Sequence, residues 1–279
     1  MMPDRTTVRV AADAYRDVCA FIYEQAGVVI GDDKLYLLDS RLKPVLRRFQ
    51  LEGYADLAKA LATGNGGQVH EAVVDALTTH ETWFMRDPSL FDALRSEILP
   101  RMISEHAHDR SLTVWSAACS TGQEAYSTLI HVREYFPQLL PWNLRFICSD
   151  ISPAMVDRTR EGVYSSVEIG RGLPPSLVSR YFEPAGADWR VRRELRSMLE
   201  VKRFNLHGNW STMPKCDVLF LRNVLIYFDQ DARQRILARA RAQLRSHGVL
   251  LLGASESTVG ISDAFEACQC AGMRYFVAR

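Results

Sequence analysis

The sequence has almost no net charge, because 34 lysines and arginines are balanced by 33 aspartates and glutamates. Nucleic-acid-binding proteins usually carry a clear positive excess, so we expect no nucleic-acid partner. Long apolar runs are also missing: the first ten residues, MMPDRTTVRV, hold no signal-peptide core, and no run approaches the ~20 residues of a membrane span. We therefore expect a soluble cytoplasmic protein with no membrane-inserted segment.

CxxC motifs are absent as well, since none of the six cysteines has that spacing. Cys268 and Cys270 form a CxC pair, but no His or Cys stands near them at the spacing of metal ligands. Most of the cysteines lie in apolar, strand-like runs, where a thiol packs as a small hydrophobic group. The sequence thus predicts core thiols and no metal site.

What the chain does have is length and apolar content, with 279 residues of which 47% are hydrophobic. That is enough for one large domain or two unequal ones. Residues 1–75 are predicted to form a small helical domain, because apolar residues recur there at helical spacing, as at Tyr15, Val18 and Ile22. Pro44 is expected to kink the second helix or to begin a new one. Residues 76–88 are predicted to link this domain to the next.

From residue 111 onwards, strand-like and helix-like segments alternate. This alternation predicts an α/β domain over residues 89–279, with a parallel, doubly wound sheet and helices on both faces. Ser152 and Pro153 have the residue types of a helix N-cap and first turn. Residues 163–198 interrupt the pattern with the polar stretch EPAGADWRVRREL, and we expect a small β-rich insertion there.

The segment VWSAACSTGQEAY, residues 114–126, has the form of a strand, a turn and the start of a helix. Nucleotide cofactors dock at such turns, but a dinucleotide motif needs three glycines and this turn has only Gly122. The carboxylate of Glu124, just inside the helix, would repel a pyrophosphate and attract an ammonium or sulfonium group. S-adenosylmethionine, which brings both cationic groups and no phosphate, fits these residues best.

Asp150 ends the next strand, 28 residues after Gly122. An acidic side chain at about this distance can accept hydrogen bonds from both ribose hydroxyls. The alternative is that Asp150 caps the helix that follows. Asp150 and the glycine turn both stand at strand ends, which favours the ribose interpretation.

Five ordered motifs together resemble the chemotaxis receptor methyltransferase (CheR) family; they are TTHETWFMRD (78–87), ACSTGQEAYS (118–127), SDIS (149–152), FNL (204–206) and RNVLIYF (222–228). The resemblance covers essentially the whole chain. It implies a Rossmann-like class I methyltransferase fold with a small β-subdomain insertion after an all-α domain. It also implies methyl transfer from S-adenosylmethionine to glutamate side chains of chemoreceptors, which gives γ-methyl esters, serves sensory adaptation and leaves S-adenosylhomocysteine.

The resemblance also implies roles for individual residues. Glu124 would hold the methionine end of the cofactor, Asp150 the ribose, and Asn205 and Leu206 the adenine. The remaining residues implied to contact the cofactor are His80, Thr82, Arg86, Gly122, Arg222 and Asn223. His80 stands where some members have asparagine, so the nature of its contact is left open, and Met85 replaces a frequent phenylalanine.

Arg86 and Tyr227 are the two predicted catalytic residues. Glutamate, with a pKa of ~4.3, is already ionised at pH 7, so the reaction needs alignment and removal of water rather than a strong base. Arg86 is expected to orient the carboxylate or, alternatively, to position the cofactor. A third possibility, without a catalytic role, is a surface ion pair with Asp87. Tyr227, which matches the family's active-site tyrosine, is expected to donate a hydrogen bond or to be simply a buried tyrosine.

The helix around residues 34–50 carries four basic residues that could meet the acidic helical bundle of a receptor: Arg41, Lys43, Arg47 and Arg48. The alternative is an ordinary solvated face. The resemblance favours receptor binding, and it also implies that the β-subdomain, in some members, binds a short peptide at the receptor C-terminus.

Two other functions have different sequence requirements. A nucleic-acid amino-methyltransferase would need an Asp/Asn-Pro-Pro-aromatic turn after the fourth strand, where this chain has RNVLIYF. A non-catalytic module that binds S-adenosylmethionine or a receptor for signalling would not need Arg86, Asp150 and Tyr227 together.

Overall fold

The computed structural model describes residues 5–31, 35–63 and 67–279. The chain divides into two compact units. One, the helical unit, comprises the described residues up to Thr79 together with Tyr227–Ala232. The other, the sheet unit, comprises His80–Ile226 and Arg233–Arg279.

The helical unit contains four helices in its N-terminal part, which are α1 (Arg5–Ala26), α2 (Leu35–Arg48), α3 (Tyr54–Thr63) and α4 (Gln68–Leu77). The predicted apolar periodicity is confirmed at Val18 and Ile22, which are fully buried. Pro44 lies inside α2, so the alternative in which it begins a new helix is wrong. The segment Tyr227–Ala232 joins this unit through a β-bridge between Val28 and Phe228.

The sheet unit is built on a seven-stranded sheet of order β6-β2-β1-β7-β8-β10-β9. Its strands are β1 (Ser111–Ala117), β2 (Asn143–Asp150), β6 (Leu199–Arg203), β7 (Cys216–Phe220), β8 (Leu244–Leu251), β9 (Phe265–Cys270) and β10 (Met273–Ala278). The first five strands in this order run parallel, as predicted, whereas β10 pairs antiparallel with both β8 and β9. The sequence does not predict β9, because FEACQC has neither a strict alternation of apolar and polar residues nor a long apolar run.

The helices of this unit connect the strands and cover the sheet. They are α5 (Pro88–Ala93), which continues through a π-helical turn (Leu94–Ile98) into α6 (Leu99–Glu105), then α7 (Gln123–Tyr135), α8 (Pro153–Glu161) and α12 (Gln230–Gln243), whose first three residues belong to the helical unit. The predicted N-cap of α8 is confirmed, since the Ser152 side chain accepts a hydrogen bond from the Met155 amide.

The insertion contains more helix than the sequence predicts. Its elements are β3 (Val163–Tyr164), α9 (Ser166–Gly170), α10 (Pro175–Tyr181), β4 (Phe182–Ala185), β5 (Asp188–Val191) and α11 (Arg193–Arg196). The three strands form an antiparallel sheet of order β3-β5-β4 that is separate from the main one. The predicted β-subdomain is therefore present, and three short helices accompany it.

The core of the sheet unit explains where its crevice lies. β1 and β7 are buried over almost their whole length, with Trp115 paired to Ile147 on one side and to Leu219 on the other. β1 is the first strand in the chain, yet it lies between β2 and β7, so the order of the strands reverses there. A ligand crevice opens beyond the carboxyl ends of the strands at such a switch point.

Within the described ranges, no helix is both long and apolar enough to span a bilayer.

Candidate active site

The turn between β1 and α7 has an unusual backbone. Gly122 adopts φ +90°, and two non-glycine residues before it, Ala118 and Ser120, adopt φ +56° and +52°. Side chains disfavour this left-handed region, so the turn is strained and must be held by its surroundings. Gly122 is required for a second reason, because an added Cβ would stand 2.8 Å from the Thr159 side chain.

Hydrogen bonds to neighbouring elements hold the strained turn. The Thr159 hydroxyl donates to the Ser120 carbonyl at 3.0 Å, and the Ser120 hydroxyl donates to the His80 carbonyl at 2.7 Å. The buried Tyr164 of the insertion donates to the Thr121 carbonyl at 2.5 Å. The fold itself therefore fixes the shape of this turn.

Asp150, at the end of β2, is part of the same network. Its carboxylate accepts the Ser120 amide at 2.8 Å and the Ser152 amide at 3.0 Å. The Ser152 side chain is the N-cap of α8, so the alternative in which Asp150 caps this helix is wrong. Burial raises the pKa of Asp150, while these amides and the nearby charge of His80 act in the opposite direction. A carboxylate offers about four lone-pair sites, so the two amides leave it able to accept a ribose hydroxyl.

Glu124 is not a free carboxylate. One oxygen accepts the Ser116 hydroxyl at 2.8 Å and the other accepts Arg222 Nη1 at 2.8 Å. Arg222 also donates through Nη2 to Asp87, and its side chain is only 2% exposed. We call Asp87, Glu124 and Arg222 the carboxylate–arginine cluster.

The carboxylate–arginine cluster has more negative than positive charge, since two carboxylates surround one guanidinium. The buried Nε of Arg222 has no hydrogen-bond partner among the described residues. A cluster of this composition favours a ligand that brings a cationic group and a hydrogen-bond acceptor, as an amino acid tail does. These donors and acceptors therefore fit the methionine end of S-adenosylmethionine better than a pyrophosphate.

Asp87 has a different partner from the one that the sequence suggests. The alternative expectation was a surface ion pair between Arg86 and Asp87, but Asp87 binds Arg222. Arg86 instead donates to the Glu81 carbonyl at 3.2 Å and lies over the Trp83 ring at 4.3 Å. Arg222 is 135 residues from Asp87, so no local pattern could have revealed this pair.

The segment that carries Thr82 and Arg86 packs on the insertion through an aromatic side chain. Phe84 is fully buried and meets Tyr164 and Phe182 edge-on, at centroid distances of 4.9 and 5.6 Å. Thr82 itself is half-buried in this segment. The aromatic contacts therefore fix the backbone on which Thr82 and Arg86 stand.

Two residues of the insertion make further contacts with the same segment. Gly172 adopts φ +110°, and an added Cβ would stand 2.0 Å from the Phe84 carbonyl oxygen, so only glycine fits. Arg171 stacks on the Trp83 ring, at 4.0 Å. The Trp83 ring therefore carries two guanidinium groups, those of Arg86 and Arg171.

Asn205 and Leu206 follow β6 in a turn. The Asn205 side-chain oxygen accepts the His207 amide at 2.9 Å, and the Leu206 carbonyl accepts the Trp210 indole N–H at 2.9 Å. Trp210 packs edge-on against the buried Trp115 of β1, with ring centroids 5.0 Å apart. This aromatic contact, which the sequence did not reveal, fixes the turn relative to β1.

Asn223 lies in a second strained turn, with φ +57°. Its amide, like the next two in the chain, donates to the carboxylate of Glu256. None of the sequence motifs that predict the site includes Glu256. The polar GASE sequence that follows the apolar end of β8 was the available signal.

Tyr227 ends a short 3₁₀ turn, Leu225–Tyr227, and its carbonyl accepts the Val29 amide at 3.0 Å within the helical unit. Its side chain is half-buried. The alternative of a fully buried core tyrosine is therefore wrong, and its catalytic role stays a prediction.

Two of the four basic residues of α2 are held by contacts inside the helical unit. Arg41 donates to two carbonyls at the end of α4, those of Leu77 and Thr78. Lys43 pairs with Asp39 at 2.5 Å. These two side chains therefore have structural partners already.

The other two basic residues, Arg47 and Arg48, are exposed in the last turn of α2. In the described part of the chain, neither side chain forms an ion pair with a carboxylate or a hydrogen bond to a carbonyl, whereas Lys43 and Arg41 do. This pair is thus the part of the predicted receptor surface that is available to a partner.

Both units are similar to domains of one known protein family. A family described as "CheR methyltransferase, SAM binding domain" matches residues 80–273, and one described as "CheR methyltransferase, all-alpha domain" matches residues 13–78. Chemotaxis protein methyltransferase 1 of Vibrio cholerae is 39% identical over 95% of this chain and 96% of its own length. Chemotaxis protein methyltransferase Cher2 of Pseudomonas putida is 35% identical over 90% of this chain and 92% of its own.

Proposed function

Since the chain belongs to the CheR methyltransferase family, we propose that it methylates glutamate side chains of chemoreceptors and forms γ-methyl esters. The family assignment makes it an S-adenosylmethionine-dependent methyltransferase. The observation that carries the proposal is the carboxylate–arginine cluster beside the rigid turn after β1. This cluster provides a net negative site next to the carboxyl ends of the strands.

In this proposal, the sheet unit holds the cofactor with residues from four strand ends. Glu124 and Arg222 bind the amino acid tail, and Asp150 binds the ribose. Asn205 and Leu206 flank the adenine.

Other residues shape the cleft around the cofactor. Gly122 lets the chain turn beneath it, while His80, Thr82 and Asn223 line the walls. Because the turn after β1 is already fixed by hydrogen bonds, little conformational entropy is lost there when the cofactor binds.

The bound cofactor supplies a methyl group activated by a sulfonium. The acceptor glutamate is ionised at pH 7, so the protein needs no general base for it. Its contribution is to hold the carboxylate oxygen in line with the methyl group and to exclude water from both. Arg86 orients the acceptor, and Trp83 holds the guanidinium by a cation–π contact. Tyr227, the second predicted catalytic residue, is the proposed donor of a further hydrogen bond during the transfer.

The helical unit provides the receptor-binding surface in this proposal. Arg47 and Arg48 are exposed at the end of α2, where they can attract the acidic helices of a receptor bundle. The β-subdomain offers a second contact, because β3 and β4 are both edge strands and an extended peptide from a receptor C-terminus can pair with such an edge. The receptor cytoplasmic domains place this activity in the cytoplasm.

Nothing in the site favours a nucleic-acid amino-methyltransferase or a non-catalytic binding module. The turn after β7 reads RNVLIYF rather than Asp/Asn-Pro-Pro-aromatic, and its Arg222 is committed to two carboxylates. A binding module without catalysis would not need Arg86, Asp150 and Tyr227 together.

The test is to incubate the full chain with S-adenosylmethionine and receptor cytoplasmic domains and to locate the added methyl group by tandem mass spectrometry. We expect it on glutamate side chains. A methyl group on lysine or arginine would contradict the proposal. Binding of S-adenosylhomocysteine without any transfer would instead support the signalling module.

A further inference from the structure

Glu256 stands in the loop after β8, and its buried carboxylate faces the turn that follows β7. It accepts four backbone N–H groups: Asn223 at 2.7 Å, Val224 at 2.9 Å, Leu225 at 2.7 Å and Gly253 at 2.7 Å. The carboxylate thus joins the loop after β8 to the turn after β7.

The turn that Glu256 holds is strained and forms a concave set of donors. Asn223 adopts φ +57°, and its amide points to the same carboxylate as the next two amides in the chain. Successive N–H groups in such a turn make an anion-binding concavity. An ionised carboxylate only accepts hydrogen bonds, so four donors satisfy it and offset the cost of its burial.

Packing leaves the turn little freedom to move. A Cβ added to Gly253 would stand 2.5 Å from the Asn223 side-chain nitrogen and 2.8 Å from Glu256 Oε2. The Asn223 side chain, the Glu256 carboxylate and the Gly253 backbone are therefore in close contact. A change in any one of them displaces the other two.

This turn begins at Arg222, the guanidinium of the carboxylate–arginine cluster, and continues with Asn223. We propose that Glu256 is a positioning residue, which fixes residues 222–225 and thereby sets the affinity for S-adenosylmethionine. This inference rests on the proposed placement of Arg222 and Asn223 in the cofactor cleft. Glu256 acts through the turn and does not touch the reacting atoms.

The test replaces Glu256 with glutamine, which has nearly the same shape but turns an NH₂ group towards backbone N–H donors. We expect E256Q to raise the Kd for S-adenosylhomocysteine, measured by calorimetry, and the KM for S-adenosylmethionine by at least about tenfold, because buried donors lose their acceptor. The KM for the receptor should change by less than about twofold, since the residues proposed to bind the receptor, Arg47 and Arg48, belong to the helical unit.

Two further variants serve as controls. E256D, which keeps the carboxylate, should recover part of the lost affinity. E266Q, which changes an exposed glutamate of β9, is the matched control and should behave as the wild type.

Unchanged cofactor affinity in E256Q would overturn the inference, even if the melting temperature fell, because that result would make Glu256 structural only. An equal rise in both KM values would overturn it too. If E256Q does not fold, G253A provides the test, because its added methyl group displaces the same turn without removing a charge. Weaker cofactor binding in G253A supports the inference, and unchanged binding overturns it. Failure of the proposed function is distinct, because the wild type would then form no methyl ester.

Discussion

The Arg222 guanidinium lies almost wholly out of water and pairs with two carboxylates, those of Asp87 and Glu124. Burial makes the charge of Arg222 depend on these partners, because an unpaired charge in such a place is costly. Glu124 therefore has two roles in the proposal, as a partner of Arg222 and as a ligand of the cofactor's ammonium group. Asp150 accepts the Ser120 amide of the turn after β1 and the Ser152 amide, and in the proposal it also binds the ribose.

Replacing Glu124 with glutamine should weaken binding of S-adenosylhomocysteine by at least about tenfold, because the variant removes the excess negative charge that attracts the ammonium group. Calorimetry measures the effect. The control ligand is 5′-methylthioadenosine, which lacks the amino acid tail and should bind both proteins alike. Equal losses for the two ligands would mean that E124Q disturbs the whole cleft.

Replacing Arg86 with alanine should lower kcat by about 100-fold, the size of effect expected when a reacting group is misplaced. The matched control is R171A, because Arg171 stacks on the same Trp83 ring and is exposed. We expect R171A to keep kcat within about threefold of the wild type, since exposed contacts contribute little. Similar losses in both variants would show that the arginines only support Trp83.

Among the helices, α2 carries four basic residues that have different partners. Lys43 pairs with Asp39 four residues earlier, which is a local pattern, whereas Arg41 binds carbonyls at the end of α4. The contacts of Arg41 join residues distant in sequence, so they exist only once the helices pack. Receptor binding is therefore best tested at Arg47 and Arg48.

Reversing both charges, in R47E/R48E, should raise the KM for the receptor by about fivefold or more at low ionic strength. The effect should shrink as salt screens the exposed charges. The matched control, R16E/K59E, reverses two exposed charges elsewhere in the helical unit. A receptor KM that does not respond to R47E/R48E would identify this face of α2 as merely solvated.

α7 contains a histidine that makes stability depend on pH. Burial, aided by the charge of Arg95, lowers the pKa of His131 from 6.5 to about 4. Between these values the unfolded chain binds a proton that the folded chain does not, so stability that is present above pH 6.5 is lost as pH falls. From pH 7 to 5, we expect the melting temperature of the wild type to fall about 3–6 °C more than that of H131L, which corresponds to about 1–2 kcal/mol in a domain of this size. Parallel curves would contradict this.

At the scale of the whole molecule, the sequence predicted the order of the main elements because its patterns are local. The apolar runs of β1, β2 and β7, the cap at Ser152 and the turn at Gly122 each act over a few residues. β9 was not predicted, because FEACQC has neither a regular alternation of apolar and polar residues nor a long apolar run.

Contacts between segments that are distant in the sequence could not be predicted from such local patterns. The pair of Asp87 with Arg222 and the contact of Glu256 with the turn at Asn223 depend on how distant segments pack. The sequence therefore predicted which strand ends carry the candidate site, but not the partners that hold its charged side chains in place.

A γ-methyl ester of glutamate is hydrolysed by mild base, whereas a methylated amine is not, so base treatment distinguishes the two products. Receptor cytoplasmic domains are labelled with S-adenosylmethionine that carries a radioactive methyl group, and the washed protein is then treated with mild base. We predict that the label is released as volatile methanol. A label that stays on the protein in base would show methylation of an amine and would contradict the account.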